Sequence, residues 1–228
     1  MSGGSARVLV SWSSGKDAAW ALHLLRQQEQ TEVAGLLTTL DGTTDRVGMH
    51  GVPRALVEAQ AEALGLPLVA VPLPWPAANA VYEAAVRDAL ADARRTLGVT
   101  HMAFGDLFLE DIHRYRGSLL SDTRLVPLFP LWGTPTEVLA REMIAGGLRA
   151  TLTCVNPACL HASFAGRAFN ADLLADLPAS ADPCGENGEF HTFAWDGPMF
   201  RHPVPVRVGA RTERDGFVYA DLCPAGES

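Results

Sequence analysis

Short apolar runs alternate with amphipathic patterns along the first two thirds of the chain. Runs of strand length occupy residues 7–11, 32–38, 68–71, 101–104 and 149–155. Apolar residues recur at helical spacing over residues 17–28, 53–64, 79–97 and 135–145. This alternation predicts an α/β fold, in which helices flank a parallel sheet. Ligands of such folds bind at the carboxyl ends of the strands, so functional residues are expected there.

The alternation of strand and helix patterns ends at residue 155. Residues 156–185 are rich in Pro, Ala, Asp and Cys and contain one short helical pattern over 171–177. Three β-like runs follow, at residues 190–195, 204–208 and 216–222. We therefore divide the chain into a ligand-binding domain, residues 1–133, and a smaller α+β region, residues 134–228.

Charge and cysteine content narrow the function classes. The 228 residues include 18 Lys and Arg against 26 Asp and Glu, a net charge of -8. An acidic chain is not expected to bind nucleic acid or anionic membrane broadly, because both need a basic face. Four cysteines are too few for a disulfide framework, and no apolar run approaches the ~20 residues of a membrane helix. A reducing, cytoplasmic location is the expectation.

The bend after the first predicted strand, "SWSSGKDA", has the composition of an anion site. Free N–H groups at a helix start attract anions, and a glycine lets a ligand approach the backbone. Lys16 adds a point charge suited to phosphate, and Asp17 could cap the helix or help to hold Mg²⁺. The hydroxyls of Ser11, Ser13 and Ser14 add donors. Taken alone, the same residues could equally form a plain tight turn.

Two common phosphate-binding motifs are excluded at this bend. A Walker A motif needs Gly five positions before the Gly-Lys pair and Ser or Thr after it, but Val10 and Asp17 stand there. The dinucleotide fingerprint needs three spaced glycines, and the bend has only Gly15.

A second motif, "GENGEF" at residues 185–190, combines small residues with two carboxylates. Glu186 and Glu189 could bind an ammonium group, a metal ion or a hydroxyl. Taken alone, this composition is explained better by a solvated acidic turn.

Several polar residues follow predicted strands. Asp106, Glu110 and Asp111 come after the strand at 101–104, on the expected ligand side of the sheet, where they could hold Mg²⁺ or begin a helix. Arg114 and Arg116 could pair with phosphate, with a carboxylate substrate or with nearby acids. His50 precedes a predicted helix.

The cysteines do not follow a common zinc spacing. Cys154, Cys159 and His161 form C-x4-C-x-H, which lacks a fourth spaced ligand. Cys184 adjoins the glutamate motif and could be a nucleophile, although a structural role is favoured. Trp75 could pack a Pro-rich loop or, less favourably, stack on adenine.

Together the two motifs resemble a known family. "SSGKDA" is similar to the pyrophosphate loop S-G-G-x-D-S of the ATP pyrophosphatase superfamily, and "GENGEF" to the G-E-x-G-E-[FY] signature of the diphthine ammonia ligase family within it. The resemblance extends over residues 8–200. The chain departs from the superfamily loop at Ser14 and Ala18, which replace glycine and serine. It departs from eukaryotic relatives at Asn170 and His191, where they have acidic residues.

The resemblance implies a Rossmann-like, PP-loop ATP-binding domain followed by a family-specific substrate region. It implies ATP-dependent amidation, in which a carboxylate forms an acyl adenylate and ammonia then displaces AMP. In the family's named activity the carboxylate is that of diphthine on elongation factor 2. The composition here resembles that of high-GC bacteria, which are not expected to contain diphthine, so the acceptor could differ and could lie on a protein. The chain could also form a homodimer.

The resemblance also implies roles for individual residues. The expected catalytic residues are Lys16, Asp111, Arg114, Glu186 and Glu189. Expected contacts to ATP come from Ser11, Ser13, Ser14, Gly15, Lys16, Asp17, His50, Gly105 and Arg116. Asp17 and Asp106 are the expected Mg²⁺ ligands.

Two other functions stay open. Thiolation of RNA also occurs in the superfamily, although the acidic charge and the lack of a zinc or paired-Cys motif weigh against it. A nucleotide sensor or simple hydrolase is the other, because Ser14 and Ala18 weaken the expected loop.

Overall fold

The computed structural model describes residues 5–74 and 76–226, so Trp75 lies outside the described residues. The helices are α1 (Lys16–Arg26), α2 (Arg54–Leu64), α3 (Asn79–Leu97), α4 (Glu110–Leu120), α5 (Thr136–Ala145) and α6 (Ala171–Asp176), with a 3-10 turn at Ala162–Phe164. The strands are β1 (Ala6–Ser11), β2 (Thr31–Asp41), β3 (Arg46–Val47), β4 (Leu68–Leu73), β5 (His101–Ala103), β6 (Val126–Leu128), β7 (Arg149–Val155), β8 (Phe190–Asp196), β9 (Val206–Arg214) and β10 (Phe217–Pro224).

A mostly parallel sheet forms the first half of the molecule. Its parallel strands lie in the order β4-β2-β1-β5-β6, and the short β3 pairs antiparallel with the end of β2. The chain builds outward from β1 through β2 to β4, then returns to the other side of β1 at β5. The predicted α/β class is therefore confirmed. The reversal places a topological switch point at the carboxyl ends of β1 and β5, where such sheets bind ligands.

A separate antiparallel sheet, in the order β8-β7-β10-β9, forms the second half. It corrects one expectation, because the apolar run at 149–155 belongs to this sheet rather than to the parallel one. The partners of β7 are β8 and β10, which come later in the chain, so the sequence before β7 did not reveal them. The edge strand of the parallel sheet beside β5 is instead β6, which has three residues with a proline in the middle.

Two predicted helix ends are confirmed. Gly65 and Gly98 follow α2 and α3 with φ of 65° each, the left-handed conformation that glycine adopts without steric cost. None of the described helices is long and apolar enough to cross a membrane.

One hydrophobic core joins the two sheets. Val8 and Val10 of β1 belong to the same buried cluster as Leu152 of β7 and Phe193 of β8. The backbone N–H of Ala194 in β8 also donates to the carbonyl of Ser14, at 2.9 Å. The second sheet therefore packs directly against the bend after β1. A domain boundary at residue 133 stays a prediction.

Candidate functional site

Buried hydrogen bonds hold the bend between β1 and α1. The carbonyl of Ser14 accepts from Ala194 and, at 3.0 Å, from the side-chain amide of Gln60. The Gln60 oxygen in turn accepts from the indole of Trp12 at 2.8 Å. Ser14 itself has a φ of 72°, and its buried hydroxyl has no hydrogen-bond partner among the described residues. The bend is fixed by its backbone, in a conformation that glycine adopts more easily.

Two glycines allow the close approaches around the bend. A Cβ on Gly15 would lie 2.8 Å from Cε1 of His50, and one on Gly105 would lie 2.9 Å from the backbone nitrogen of Ala18. Gly105 follows β5, so its lack of a side chain lets the end of β5 contact the start of α1. The two sides of the switch point therefore meet at backbone distance.

Lys16, the only lysine of the chain, lies at the bottom of the site with 2% of its surface exposed. Its ammonium donates to both carboxylate oxygens of Asp17 at 2.8 Å and to the carbonyl of Cys184. The Phe190 ring lies 5.5 Å away. Burial lowers the pKa of Lys16, but Asp17, Cys184 and Glu186 together outweigh this and the net pKa is raised. Lys16 therefore supplies a permanent positive charge.

The first motif and the glutamate motif meet in a cavity of about 260 Å³. Of the predicted residues, the cavity is lined by Ser11, Ser13, Lys16, Asp17, His50, Gly105, Asp106, Arg116 and Glu186. The predicted residues outside its lining are Ser14, Gly15, Asp111, Arg114 and Glu189. Asp111 and Arg114 are exposed on α4. Their catalytic assignments, like those of the lining residues, stay predictions.

The two glutamates of the second motif have different surroundings. Glu186 faces the cavity and accepts from the N–H of Leu107 at 2.9 Å. Burial and the carboxylates of Asp17 and Asp106 raise the pKa of Glu186 to about 7, although the Leu107 N–H and Lys16 act against this. A carboxylate of this kind can exchange a proton near neutral pH.

Glu189 is buried within its own loop. Its carboxylate accepts from the backbone N–H groups of Asp182, at 2.9 Å, and of Asn187, at 3.0 Å. The Asn187 side-chain amide approaches it at 3.3 Å. These contacts shape the loop that presents Glu186, and the predicted catalytic role of Glu189 stays a prediction.

Opposite Lys16, Asp106 and Arg116 form an ion pair of 3.1 Å at the cavity wall. The Arg116 guanidinium also lies 4.9 Å from the centre of the Phe104 ring. Arg116 of α4 therefore adds a positive charge to the cavity lining, next to the Asp106 carboxylate.

The described residues contain no group of three or more His, Cys, Asp or Glu side chains that could hold a metal ion. The two expected Mg²⁺ ligands are also engaged, Asp17 by Lys16 and Asp106 by Arg116. The site thus lacks a preassembled magnesium cage. This suits Mg²⁺ that arrives on phosphate oxygens and takes only one or two protein carboxylates.

Two further cavities adjoin the first. One of about 140 Å³ shares Ser11, Ser13, His50, Phe104 and Arg116 with it, and reaches the apolar side chains of Leu37, Val86 and Met102. The buried hydroxyl of Thr38, at this second cavity, has no partner among the described residues. A third cavity of about 490 Å³ continues past Tyr82 and Arg116. The cleft thus has a charged end at Lys16 and a more apolar end at Leu37, Val86 and Met102.

Sequence reasoning missed three residues that build the site. Thr192 accepts from the Lys16 backbone N–H at 3.0 Å, Gln60 bridges the bend to β8, and Phe104 forms part of the cavity wall. The two polar residues lie far from the bend in sequence, within otherwise ordinary apolar patterns. The only signal was the position of Thr192 just after the glutamate motif.

The Cys184 thiol is unsuited to sulfur chemistry. Burial raises its pKa to about 12, and its sulfur donates to the carbonyl of Thr136 at 3.4 Å. Because the thiolate is the reactive form, this geometry favours the structural role.

Comparison with known proteins gives two family matches. Residues 6–118 match the model of the diphthamide synthase N-terminal domain, and residues 135–221 match that of the diphthamide synthase C-terminal domain. Together they span most of the 228 residues. No curated protein matches the chain.

Proposed function

Because the chain belongs to the diphthamide synthase family, which indicates an ATP-utilising enzyme, we propose that it is an AMP-forming amide ligase. ATP, Mg²⁺, an acceptor carboxylate and ammonia are its proposed reactants. The acceptor could be a small molecule or part of a protein, and the proposed location is the cytoplasm. One observation carries the proposal: the only lysine, which belongs to the first motif, lines one cavity together with Glu186 of the second motif at the switch point.

The proposed placement of ATP follows the polarity of the cleft. The phosphates bind at the charged end, where the start of α1, Lys16 and Arg116 offer positive charge. The adenosine occupies the apolar end between β2 and β5, where the Thr38 hydroxyl lacks a partner among the described residues. Mg²⁺ would bind the phosphates and contact Asp17 or Asp106, and it would neutralise phosphate charge.

The proposed reaction has two steps. An oxygen of the acceptor carboxylate attacks the α phosphorus, the bond to the β phosphate breaks, and pyrophosphate leaves. The nitrogen of ammonia then attacks the acyl carbon, the bond to AMP breaks, and a proton leaves the nitrogen. Glu186 is placed to accept that proton, because it faces the cavity and its pKa is raised to about 7.

A direct test measures products. The protein is incubated with MgATP, ammonium and a panel of carboxylates, and AMP and pyrophosphate are quantified. AMP should depend on both acceptor and ammonium, and Lys16→Ala should remove it while Lys16→Arg retains part of it. Formation of ADP and phosphate, or full AMP formation by Lys16→Ala, would contradict the proposal.

Binding is tested separately by calorimetry with MgATP. The wild type should bind, and Lys16→Ala should bind more weakly because it lacks the positive charge that Lys16 supplies to the cavity. Equal binding by the two proteins would contradict the placement of the phosphates at Lys16. ATP binding without AMP from any acceptor would instead identify a nucleotide sensor.

A further inference from the structure

Two histidines from different halves of the molecule lie together on the cavity wall. His50 precedes α2 and His191 lies in β8, with their ring centres 4.7 Å apart. The Nδ1–H of His50 donates to the carbonyl of Thr192 at 2.9 Å, which leaves its Nε2 as an acceptor. No hydrogen bond joins the ring nitrogens of His191 to the part of the chain that the structure describes. The pair thus offers unused nitrogen acceptors at the cavity.

The charges around the pair disfavour a cation. Lys16 is the charged side chain that acts on both rings, whereas the carboxylates of Asp17 and Glu186 face Lys16 and the Leu107 N–H. Across the cavity, Arg116 is paired with Asp106. Burial and Lys16 lower the pKa of His50 to about 4, and burial, His50 and Lys16 lower the pKa of His191 to about 3. Both rings are therefore neutral at pH 7.

We propose that the His50–His191 pair binds the nucleophile of the reaction as unprotonated ammonia or a primary amine. This inference rests on the proposed amide ligase function. Ammonium has no lone pair with which to attack a carbonyl carbon, and a carboxylate would bind it in that unreactive form. Neutral imidazole nitrogens accept N–H bonds without adding negative charge, and the nearby Lys16 ammonium repels a second cation. The pair therefore selects the protonation state that can react.

The site also separates two tasks within one cavity. Glu186 is a carboxylate suited to receiving a proton after nitrogen has attacked, whereas the histidine pair is suited to holding nitrogen before it attacks. A metal ion is a poorer occupant of the pair, because the described residues place no third His, Cys, Asp or Glu ligand there.

The test uses the full chain without ATP. The ring nitrogens of His50 and His191 are followed by NMR while ammonium chloride is added at pH 7 and at pH 8, with sodium chloride as the salt control. Below the pKa of ammonium, the free-base fraction rises about tenfold per pH unit. The total ammonium at half-saturation should therefore be about tenfold lower at pH 8. An unchanged midpoint would show that the cation binds, and a response matched by sodium chloride would show that there is no amine site; either result overturns the proposal.

Two variants complete the test. His191→Phe keeps a ring of similar shape but removes both nitrogens, so the His50 response to ammonia should be lost. His202→Phe, at an exposed loop position, is the matched control and should retain it. Retention of the His50 response in a folded His191→Phe protein would contradict the proposal.

Failure of the amine site and failure of the proposed ligase function would give different results. A pH-dependent response of the rings without AMP formation would leave the amine site standing and remove the ligase. AMP formation with an unchanged KM for ammonium in His191→Phe would leave the ligase standing and remove the amine site.

Discussion

At the residue scale, Ser14 carries a conformational cost. A side chain in the left-handed region costs about 1–2 kcal/mol, and the buried Ser14 hydroxyl also lacks a partner among the described residues. Ser14→Gly removes both penalties but adds the backbone entropy of glycine, about 0.5–1 kcal/mol. The variant should therefore be more stable by about 1 kcal/mol in urea unfolding.

Ser13→Gly is the matched control for this prediction. Ser13 is not among the residues with positive φ, and its hydroxyl lies 3.4 Å from the N–H of Gly15. The stability of this control in urea unfolding should therefore fall by about 0.5–1 kcal/mol, the usual effect of added glycine. Equal effects of the two substitutions would mean that the backbone at Ser14 is not strained.

Glu186 should make stability depend on pH. Its pKa is raised from 4.5 to about 7 in the folded protein, so between these values the folded state binds more protons than the unfolded state. Stability from this group is therefore lost as pH rises through that window. Glu186→Gln should match the wild type in urea unfolding at pH 5 and exceed it at pH 8.

Glu189→Gln is the control for the glutamate prediction. It weakens an acceptor of three N–H contacts, so it should be less stable than the wild type at both pH values. If Glu186→Gln lowers stability equally at pH 5 and pH 8, the raised pKa of Glu186 is contradicted.

The sequence revealed the site residues that belong to compact motifs. Lys16 and Glu186 were predicted because each lies in a short pattern of small and charged residues. Thr192 and Gln60 were not, because a threonine in a strand and a glutamine in an amphipathic helix look like surface residues. Only the packing of β8 across the bend brings their polar atoms to the backbone near Ser14 and Lys16.

At the element scale, the contact between β5 and α1 depends on Gly105. A Cβ there would lie 2.9 Å from the backbone nitrogen of Ala18 and from the carbonyl carbon of Asp17, and neither atom can move without the helix. Gly105→Ala should therefore shift the start of α1, cost about 1–3 kcal/mol of stability and weaken ATP binding. Urea unfolding and calorimetry with ATP measure the two effects.

Gly117→Ala is the control on a neighbouring element. Gly117 lies within α4, and a Cβ there meets nothing within 4 Å. Gly117→Ala should therefore raise the stability of the protein by about 0.5–1 kcal/mol, because alanine favours the helix, and should leave ATP binding unchanged. Normal ATP binding by Gly105→Ala would show that the strand-helix contact does not shape the phosphate site.

Strand assignment illustrates what local patterns can predict. The apolar run of β7 correctly predicted a strand, but strand partners depend on long-range packing. Because β7 pairs with β8 and β10, its membership of the antiparallel sheet became visible only with the whole fold. The three-residue β6 has a proline in its middle, which argues against a strand, so the sequence pattern did not predict it.

At the scale of the whole molecule, the two family domains share both a core and a site. Residues of β1 and β8 belong to one buried cluster, and the first-domain bend is bonded to the second-domain strand at Ser14 and Lys16. The proposed ATP and acceptor chemistry therefore depends on how the two sheets pack. A substitution where the two sheets pack together should therefore lower the stability of both halves.

Thr192→Val tests this coupling. Valine keeps the shape of threonine but leaves the buried N–H of Lys16 without its acceptor, which costs about 1–3 kcal/mol. Hydrogen exchange should show β1 and β7 amides losing protection by the same free energy, because one core joins them. The exposed Thr212→Val in β9 should leave both unchanged. Loss of protection confined to the second sheet would mean that the halves unfold independently, and that ATP could be bound by the first domain alone.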